Sequence, residues 1–85
     1  MTDQPDARPY SADAALDAQG LLCPLPVIRV QTQVGQMQPG QILEVLATDP
    51  GVLHDIPAWC RVHGHEFLDS DKQGRLIRLY LRVCA

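Results

Sequence analysis

The clearest helical pattern in the chain begins at the proline-containing segment of residues 24–26. Apolar residues then recur at spacings of three and four, at Val27, Val30, Val34 and Met37. Arginine and glutamine occupy positions between them, and this period is typical of an amphipathic helix with one buried face. We expect the helix to end before Pro39 and Gly40, which indicate a turn.

Alternating or β-rich segments before and after this helix predict four strands. AALDAQ, residues 14–19, forms the first and ends at Gly20, and QILEVLAT, residues 41–48, forms the second. Within the second strand, every other residue from Leu43 to Ala47 shares one apolar face. HEFLDSDKQGRLIRLYLRV, residues 65–83, predicts two further strands joined by a turn at 71–74.

A second helix is predicted between these strands, and two signals compete for its start. Asp49 comes directly before Pro50. Asp55 comes two residues before a second proline, Pro57. Proline is tolerated in the first turn of a helix and disruptive beyond it. We therefore expect a capping turn at Asp49, a regular helix from about Asp55, and a helix end at Gly64.

The resulting element order is βαβαββ, which predicts an α/β fold. Both crossover helices can cover the same apolar face of one four-stranded mixed sheet, giving a two-layer sandwich with the two helices on one face. Residues 1–13, MTDQPDARPYSAD, have no apolar period and predict a mobile N-terminal tail. The folded domain is then expected over residues 14–85.

Length, charge and cysteine content narrow the classes of protein that this domain can belong to. A chain of 85 residues accommodates one small domain without a large enclosed cavity, and its net charge of -3 disfavours direct nucleic-acid binding. No apolar run approaches the roughly 18 residues needed to span a membrane. Three irregularly spaced cysteines without a signal peptide indicate the reducing cytoplasm and not a secreted disulfide scaffold.

The segment GLLCPLPV, residues 20–27, carries the strongest chemical signal. With Cys23 at the N-cap or first position of the helix, Pro24 and Pro26 fall in the first turn, where their missing N–H groups break no intrahelical bond. The positive end of the helix dipole should then favour the thiolate of Cys23, the nucleophilic form. Because free cysteines are also often buried as small apolar residues, the residues alone leave a purely structural Cys23 open.

A second group of candidate residues lies near the end of the second predicted helix. Cys60 and His63, with His65 and His54 nearby, resemble part of a zinc site. Gly64 should end the helix and redirect His65, so we expect no metal and predict that Cys60 packs in the core beside Trp59. A resolving role, in which Cys60 forms a disulfide with Cys23, remains an alternative.

One face of the last predicted strand carries polar and aromatic residues: Arg78, Tyr80 and Arg82. We expect this face to be exposed to solvent, because the helices cover the other one. An exposed sheet face of this kind is also a possible docking surface for a partner.

Several segments together resemble the TusA/SirA family of sulfur-carrier proteins. They are LDAQGLLCPLPVIRV, LEVLATDPG, DIPAWC and GHEFL, in the family's order, and the resemblance extends from Leu16 to about Val83. It implies a βαβαββ sandwich in which Cys23 carries a persulfide and Pro24 and Pro26 frame it. Asp17 and Gly20 match the family's lead-in to the cysteine.

The resemblance also implies the partners of the reaction. The donor would be a protein such as a cysteine desulfurase or a rhodanese-like protein, and the acceptor a second protein. We expect no cofactor, no membrane association and a monomer. Many members have an acidic residue where this chain has Leu25, and this difference should favour the thiolate and alter the choice of partner.

We therefore predict a sulfurtransferase of the carrier type, which accepts sulfane sulfur on Cys23 and passes it to an acceptor protein. Two alternatives from other classes remain. In a regulatory or protein-binding module, Cys23 would be structural and the open sheet face would bind the partner. In a thiol redox sensor, Cys23 would form a disulfide with Cys60 under mild oxidation.

Overall fold

A four-stranded mixed sheet forms one layer of the protein. The computed structural model describes residues 10–84. Its strands are β1 (Ala14–Ala18), β2 (Ile42–Ala47), β3 (Glu66–Gln73) and β4 (Leu76–Arg82). They lie in the order β1-β2-β4-β3, with β1 parallel to β2 and the other neighbours antiparallel. The predicted mixed sheet is confirmed.

Two helices form the second layer, on one face of the sheet. They are α1 (Leu25–Val34) and α2 (Val52–His63), and the βαβαββ order is confirmed. Their buried residues pack on the helix-facing strand residues to form one core, which includes Val30, Ile56, Val45 and Leu79. Within residues 10–84, no helix combines the length and the apolar character needed to cross a membrane.

The first helix is shorter than its apolar pattern predicts. Val30 and Val34 are buried as expected, but the helix ends at Gly35, so Met37 is not helical. The Met37 N–H donates to the carbonyl of Val34 at 3.0 Å, which turns the chain and returns the methionine to the edge of the core. Gly35 weakens the helix here, because glycine loses the most backbone entropy on becoming ordered.

The second helix begins at Val52, three residues before the predicted start at Asp55, and Pro57 lies inside it. That proline cannot donate to the carbonyl of Leu53 and costs roughly 3 kcal/mol. Val52, Ile56 and Cys60 are spaced by four and fully or almost fully buried. Burial of a valine or isoleucine side chain contributes roughly 1.5–3 kcal/mol, so these two residues, together with Cys60, outweigh the proline. Gly64, at φ 79°, ends the helix as predicted.

The hairpin between the last two strands turns later than predicted. The turn lies at Gly74–Arg75 and not at 71–74, because Asp71 still pairs with Arg78 and Gln73 with Leu76. This register leaves a two-residue loop, the length most common in hairpins. Gly74 has a φ of 62°, which a glycine adopts without strain.

The sheet face opposite the helices is partly buried, contrary to the expected solvent-facing surface. Tyr80 has no exposed surface; its hydroxyl donates to Glu44 Oε2 at 2.8 Å, and its ring centroid is 5.4 Å from that of Tyr10. Arg82 instead forms a half-exposed ion pair with Glu66, at 2.7 Å. The polar strand face therefore combines a buried tyrosine and its buried glutamate partner with a half-exposed ion pair.

The last residues of the predicted N-terminal tail contact the sheet. The Asp13 N–H donates to the carbonyl of Ile42 at 2.8 Å, and the Ile42 N–H donates to Asp13 Oδ2 at 2.8 Å. Together with the Tyr10 ring contact, these bonds attach residues 10–13 to the sheet. The rest of the predicted tail, residues 1–9, lies outside the described residues.

Truncation of Ile56 tests whether burial holds the second helix in place. Ile56 has no exposed surface, so Ile56→Ala should lower the free energy of unfolding by about 2–5 kcal/mol, measured by urea denaturation. Val62, on the same helix, is 79% exposed, and Val62→Ala should change it by less than about 0.5 kcal/mol. Equal losses for the two variants would contradict the packing described here.

Candidate functional site

Cys23 lies in the loop between β1 and α1, with its side chain exposed. Pro24 is the N-cap of the helix and Pro26 its second residue, so both prolines lie where no intrahelical bond is lost. The sequence predicted Cys23 at the N-cap or the first helical position. In the structure, Cys23 instead precedes the N-cap by one residue. Pro26 is buried beneath the loop, which anchors the first turn.

The end of β2 holds the cysteine loop by two hydrogen bonds. The Cys23 N–H donates to Asp49 Oδ2 at 3.0 Å, and the Gly20 N–H donates to Thr48 Oγ1 at 2.9 Å. The other Asp49 oxygen accepts the N–H of Gly51 at 3.2 Å, which confirms the predicted turn at this aspartate. Asp49 thus joins the cysteine loop to the start of α2.

The two lead-in residues, Asp17 and Gly20, shape the turn that follows β1. Asp17 Oδ1 accepts the N–H of Gln19 at 3.0 Å, a local bond that closes the turn. Gly20 has a φ of 80°, in the left-handed region that favours glycine. The hydrogen bond of Asp17 and the backbone conformation of Gly20 together direct the chain toward Cys23.

The sulfur of Cys23 contacts a carboxylate from the second helix. Its Sγ lies 3.4 Å from Asp55 Oδ2 as a hydrogen-bond donor. This bond raises the pKa of the Cys23 thiol above its ordinary value, and slight desolvation and the negative charges of Asp55 and Asp49 raise it further. The predicted preference for the thiolate is therefore wrong for the isolated protein, because the hydrogen bond to Asp55, desolvation and the two nearby carboxylates all favour the protonated thiol.

Asp55 is the main site residue that the sequence did not identify. The sequence suggested only that Asp55 starts a helix, whereas it lies within the first turn of α2, 32 residues from the cysteine it contacts. Acidic residues are common in the first turn of any helix, where they complement the helix dipole. No local pattern distinguishes this carboxylate from an ordinary one, and only the packing of α2 beside α1 brings it to Cys23.

An open groove of about 370 Å³ extends from Cys23 between the two helices. Its walls are formed mainly by apolar side chains from both helices: Pro24, Val27, Ala58, Trp59 and Val62. Asp55 and His63 are the ionisable groups that line it besides Cys23. The groove is therefore mainly apolar, and the thiol of Cys23 and the carboxylate of Asp55 lie next to each other in its lining.

The histidines and the second cysteine are not arranged as a metal site. Cys60 has no exposed surface and lies in the core as predicted, and burial raises its pKa to about 11. The rings of His63 and His65 lie against Trp59, with centroids 4.8 and 5.2 Å away, and His65 Nδ1 accepts the Cys84 N–H. Among the residues described, no three His, Cys, Asp or Glu side chains could hold a metal ion.

The placement of Cys60 also bears on the disulfide alternative. Its sulfur lies in the hydrophobic core, whereas Cys23 is exposed, and both are free thiols. A buried thiol of raised pKa is a poor partner for exchange, because the reacting form is an accessible thiolate. The arrangement thus does not favour a redox pair. His54, the remaining candidate, is exposed on α2.

Known proteins are similar to this chain over most of its length. The family model described as Sulfurtransferase TusA matches residues 14–83. Sulfur carrier protein TusA of Pseudomonas aeruginosa is 40% identical over 73 residues, 86% of this chain and 92% of its own length. The Bacillus subtilis protein YrkI is 38% identical over 71 residues, 84% of this chain and 95% of its own length.

A solved structure supports the fold independently. The crystal structure of a SirA-like protein from Desulfitobacterium hafniense superposes with a TM-score of 0.69 at 23% sequence identity, covering 85% of this chain and 99% of that one. At this identity the likeness concerns the fold alone. The family match and the relatives carry the assignment, and the chain with its Cys-Pro-Leu-Pro loop therefore belongs to the TusA family.

Proposed function

We propose that this protein is a sulfur carrier that holds sulfane sulfur as a persulfide on Cys23 and relays it from a donor protein to an acceptor protein. The observation that supports this most directly is an exposed thiol that lines an open groove, in a loop framed by Pro24 and Pro26. An exposed sulfur can meet the active sites of two different partners. The relatives named sulfur carriers support the same function.

The first transfer moves one sulfur atom onto Cys23. The Cys23 thiolate attacks the outer sulfur of a donor persulfide, R–S–SH, so that the new Cys23 S–S bond forms as the donor S–S bond breaks. The donor leaves as a thiolate and takes up a proton. In the second transfer, an acceptor nucleophile attacks the outer sulfur, and Cys23 leaves as the thiolate. Neither step needs an external oxidant or a cofactor.

The surroundings of the thiol explain why partners must complete the reaction. Asp55 stabilises the protonated thiol, so the free carrier holds little thiolate near neutral pH. Among residues 10–84, Asp55 and His63 are the acid and base groups that line the groove besides Cys23 itself. We infer that the donor is a protein such as a cysteine desulfurase or a rhodanese-like protein, and that the relay operates in the cytoplasm, where free cysteines persist.

The persulfide can be detected directly by intact-protein mass spectrometry. After incubation with a cysteine desulfurase and cysteine, the wild type should gain the mass of one sulfur atom, and reductant should reverse the gain. Cys23→Ser should not gain it, whereas Cys84→Ser, which alters a half-buried cysteine elsewhere, should behave as the wild type. A persulfide that survives in Cys23→Ser would contradict the assignment of Cys23. Failure to load the wild type from desulfurase, thiosulfate and polysulfide alike would reject the carrier function.

The pH dependence of alkylation tests the electrostatic effect of Asp55 on Cys23. Asp55→Asn removes a negative charge 3.4 Å from the sulfur, so the pKa of Cys23 should fall toward its ordinary value. The pH profile of iodoacetamide alkylation should then shift to lower pH, with faster alkylation at neutral pH. Asp71→Asn, on the exposed β3 strand, should leave the profile unchanged. An unshifted profile in Asp55→Asn would show that Asp55 does not control the thiol.

A further inference from the structure

Exposed apolar side chains are concentrated beside the cysteine. Leu22 is 71% exposed, and Leu25 and Ile28 follow it at spacings of three residues with 46% and 50% of their surfaces exposed. Val62, on the second helix, is 79% exposed and lines the groove itself. Exposed apolar surface around a reactive group marks an interaction site, because leaving it in water is unfavourable.

The electrostatic character of the same site is negative. Asp49 uses both its oxygens to accept backbone N–H groups, so its role is structural. Asp55 is half-buried, and the one hydrogen bond it accepts among the residues described comes from the Cys23 thiol. The helix arginines, Arg29 and Arg61, are exposed and do not line the groove. The groove thus presents a carboxylate to a partner, and among residues 10–84 no arginine or lysine lines it to pair with that carboxylate.

We propose that the groove beside Cys23 docks a cysteine-bearing segment of the partner protein that carries an apolar side chain, which packs against Val62, and a lysine or arginine, which pairs with Asp55. This assignment rests on the proposed function and specifies the chemistry of the partner. The open groove, at about 370 Å³, has room for one or two side chains next to the sulfur. An apolar side chain covers its walls, and a cation complements the charge at its mouth.

Docking of a cation on Asp55 also changes the state of Cys23. The thiol now donates to Asp55 Oδ2, and a lysine or arginine bound to the same carboxylate competes for that oxygen and cancels its charge. The thiolate then becomes easier to form in the complex than in the free carrier. Sulfur transfer is thereby linked to binding of the correct partner, and the free carrier is less exposed to adventitious reaction.

Four tripeptide probes test the two parts of this chemistry. Each has a central cysteine as a mixed disulfide with 2-thiopyridine, preceded by leucine or alanine and followed by lysine or glutamate. The Cys23 thiolate attacks the peptide sulfur; the new disulfide forms, the bond to thiopyridine breaks, and pyridine-2-thione leaves with the proton lost by Cys23. The absorbance of the released pyridine-2-thione gives the rate constant of the reaction of each probe with Cys23, at neutral pH and low salt.

The wild type should prefer both the leucine and the lysine probes. Each preference should amount to roughly three- to tenfold, as expected for one side chain packed on an open surface and one partly exposed ion pair. The lysine preference should weaken as salt is added, because salt screens the pair. If the wild type reacts equally fast with the leucine and alanine probes, or with the lysine and glutamate probes, the proposal is overturned. Data on the wild type are sufficient for this test.

Substitutions separate the two preferences. Asp55→Asn should abolish the preference for lysine and retain that for leucine, whereas Val62→Ser should reduce the preference for leucine and retain that for lysine. Asp71→Asn, which removes a charge from β3, is the matched control and should retain both. A loss of the lysine preference in Asp71→Asn as large as in Asp55→Asn would show that the overall charge and not the groove selects the probe.

Persulfide loading of the same proteins distinguishes this proposal from the carrier function. A wild type that gains sulfur on Cys23 but reacts equally with all four probes is a carrier without this docking chemistry. A wild type that shows both preferences but never gains sulfur has the docking groove without the proposed function, so the groove would bind a partner for another purpose.

Discussion

The parallel pairing of β1 with β2 determines where the candidate functional site lies. Parallel strands end at the same edge of a sheet, so the loop after β1 and the loop after β2 are adjacent. The first loop carries Cys23 and the second carries Asp49, whose carboxylate accepts the cysteine's backbone N–H. The same pairing starts both helices from one edge, and their packing leaves the groove between them.

Two opposing effects act on the protonation of the Cys23 thiol. The prolines hold Cys23 exposed at a helix start, a position that by itself favours the thiolate. Asp55 opposes this with a hydrogen bond to the sulfur and a negative charge, and the net effect is a raised pKa. A carrier benefits from this balance, because it must remain unreactive between partners and yet exchange sulfur with each of them.

Periodicity and turn signals predicted the fold well, and the errors have identifiable physical causes. The helix start at Asp55 was wrong because burial of Val52, Ile56 and Cys60 outweighs the cost of an internal proline. The expectation that the polar strand face is exposed, because the helices cover the other face, is wrong at Tyr80, which is buried and donates a hydrogen bond to Glu44. In both places tertiary contacts overrode a local rule.

By itself, the sequence determined the element order and the family and singled out Cys23 as the candidate site residue, because apolar periods, prolines and the Cys-Pro-Leu-Pro segment are local features. Only the tertiary structure placed Asp55 and Asp49 beside Cys23, across separations of 32 and 26 residues. It thereby reversed the expected shift in the pKa of the thiol. The physical reason is that the charge felt by a sulfur depends on which side chains fold next to it, and local periodicity carries no information about contacts between distant segments.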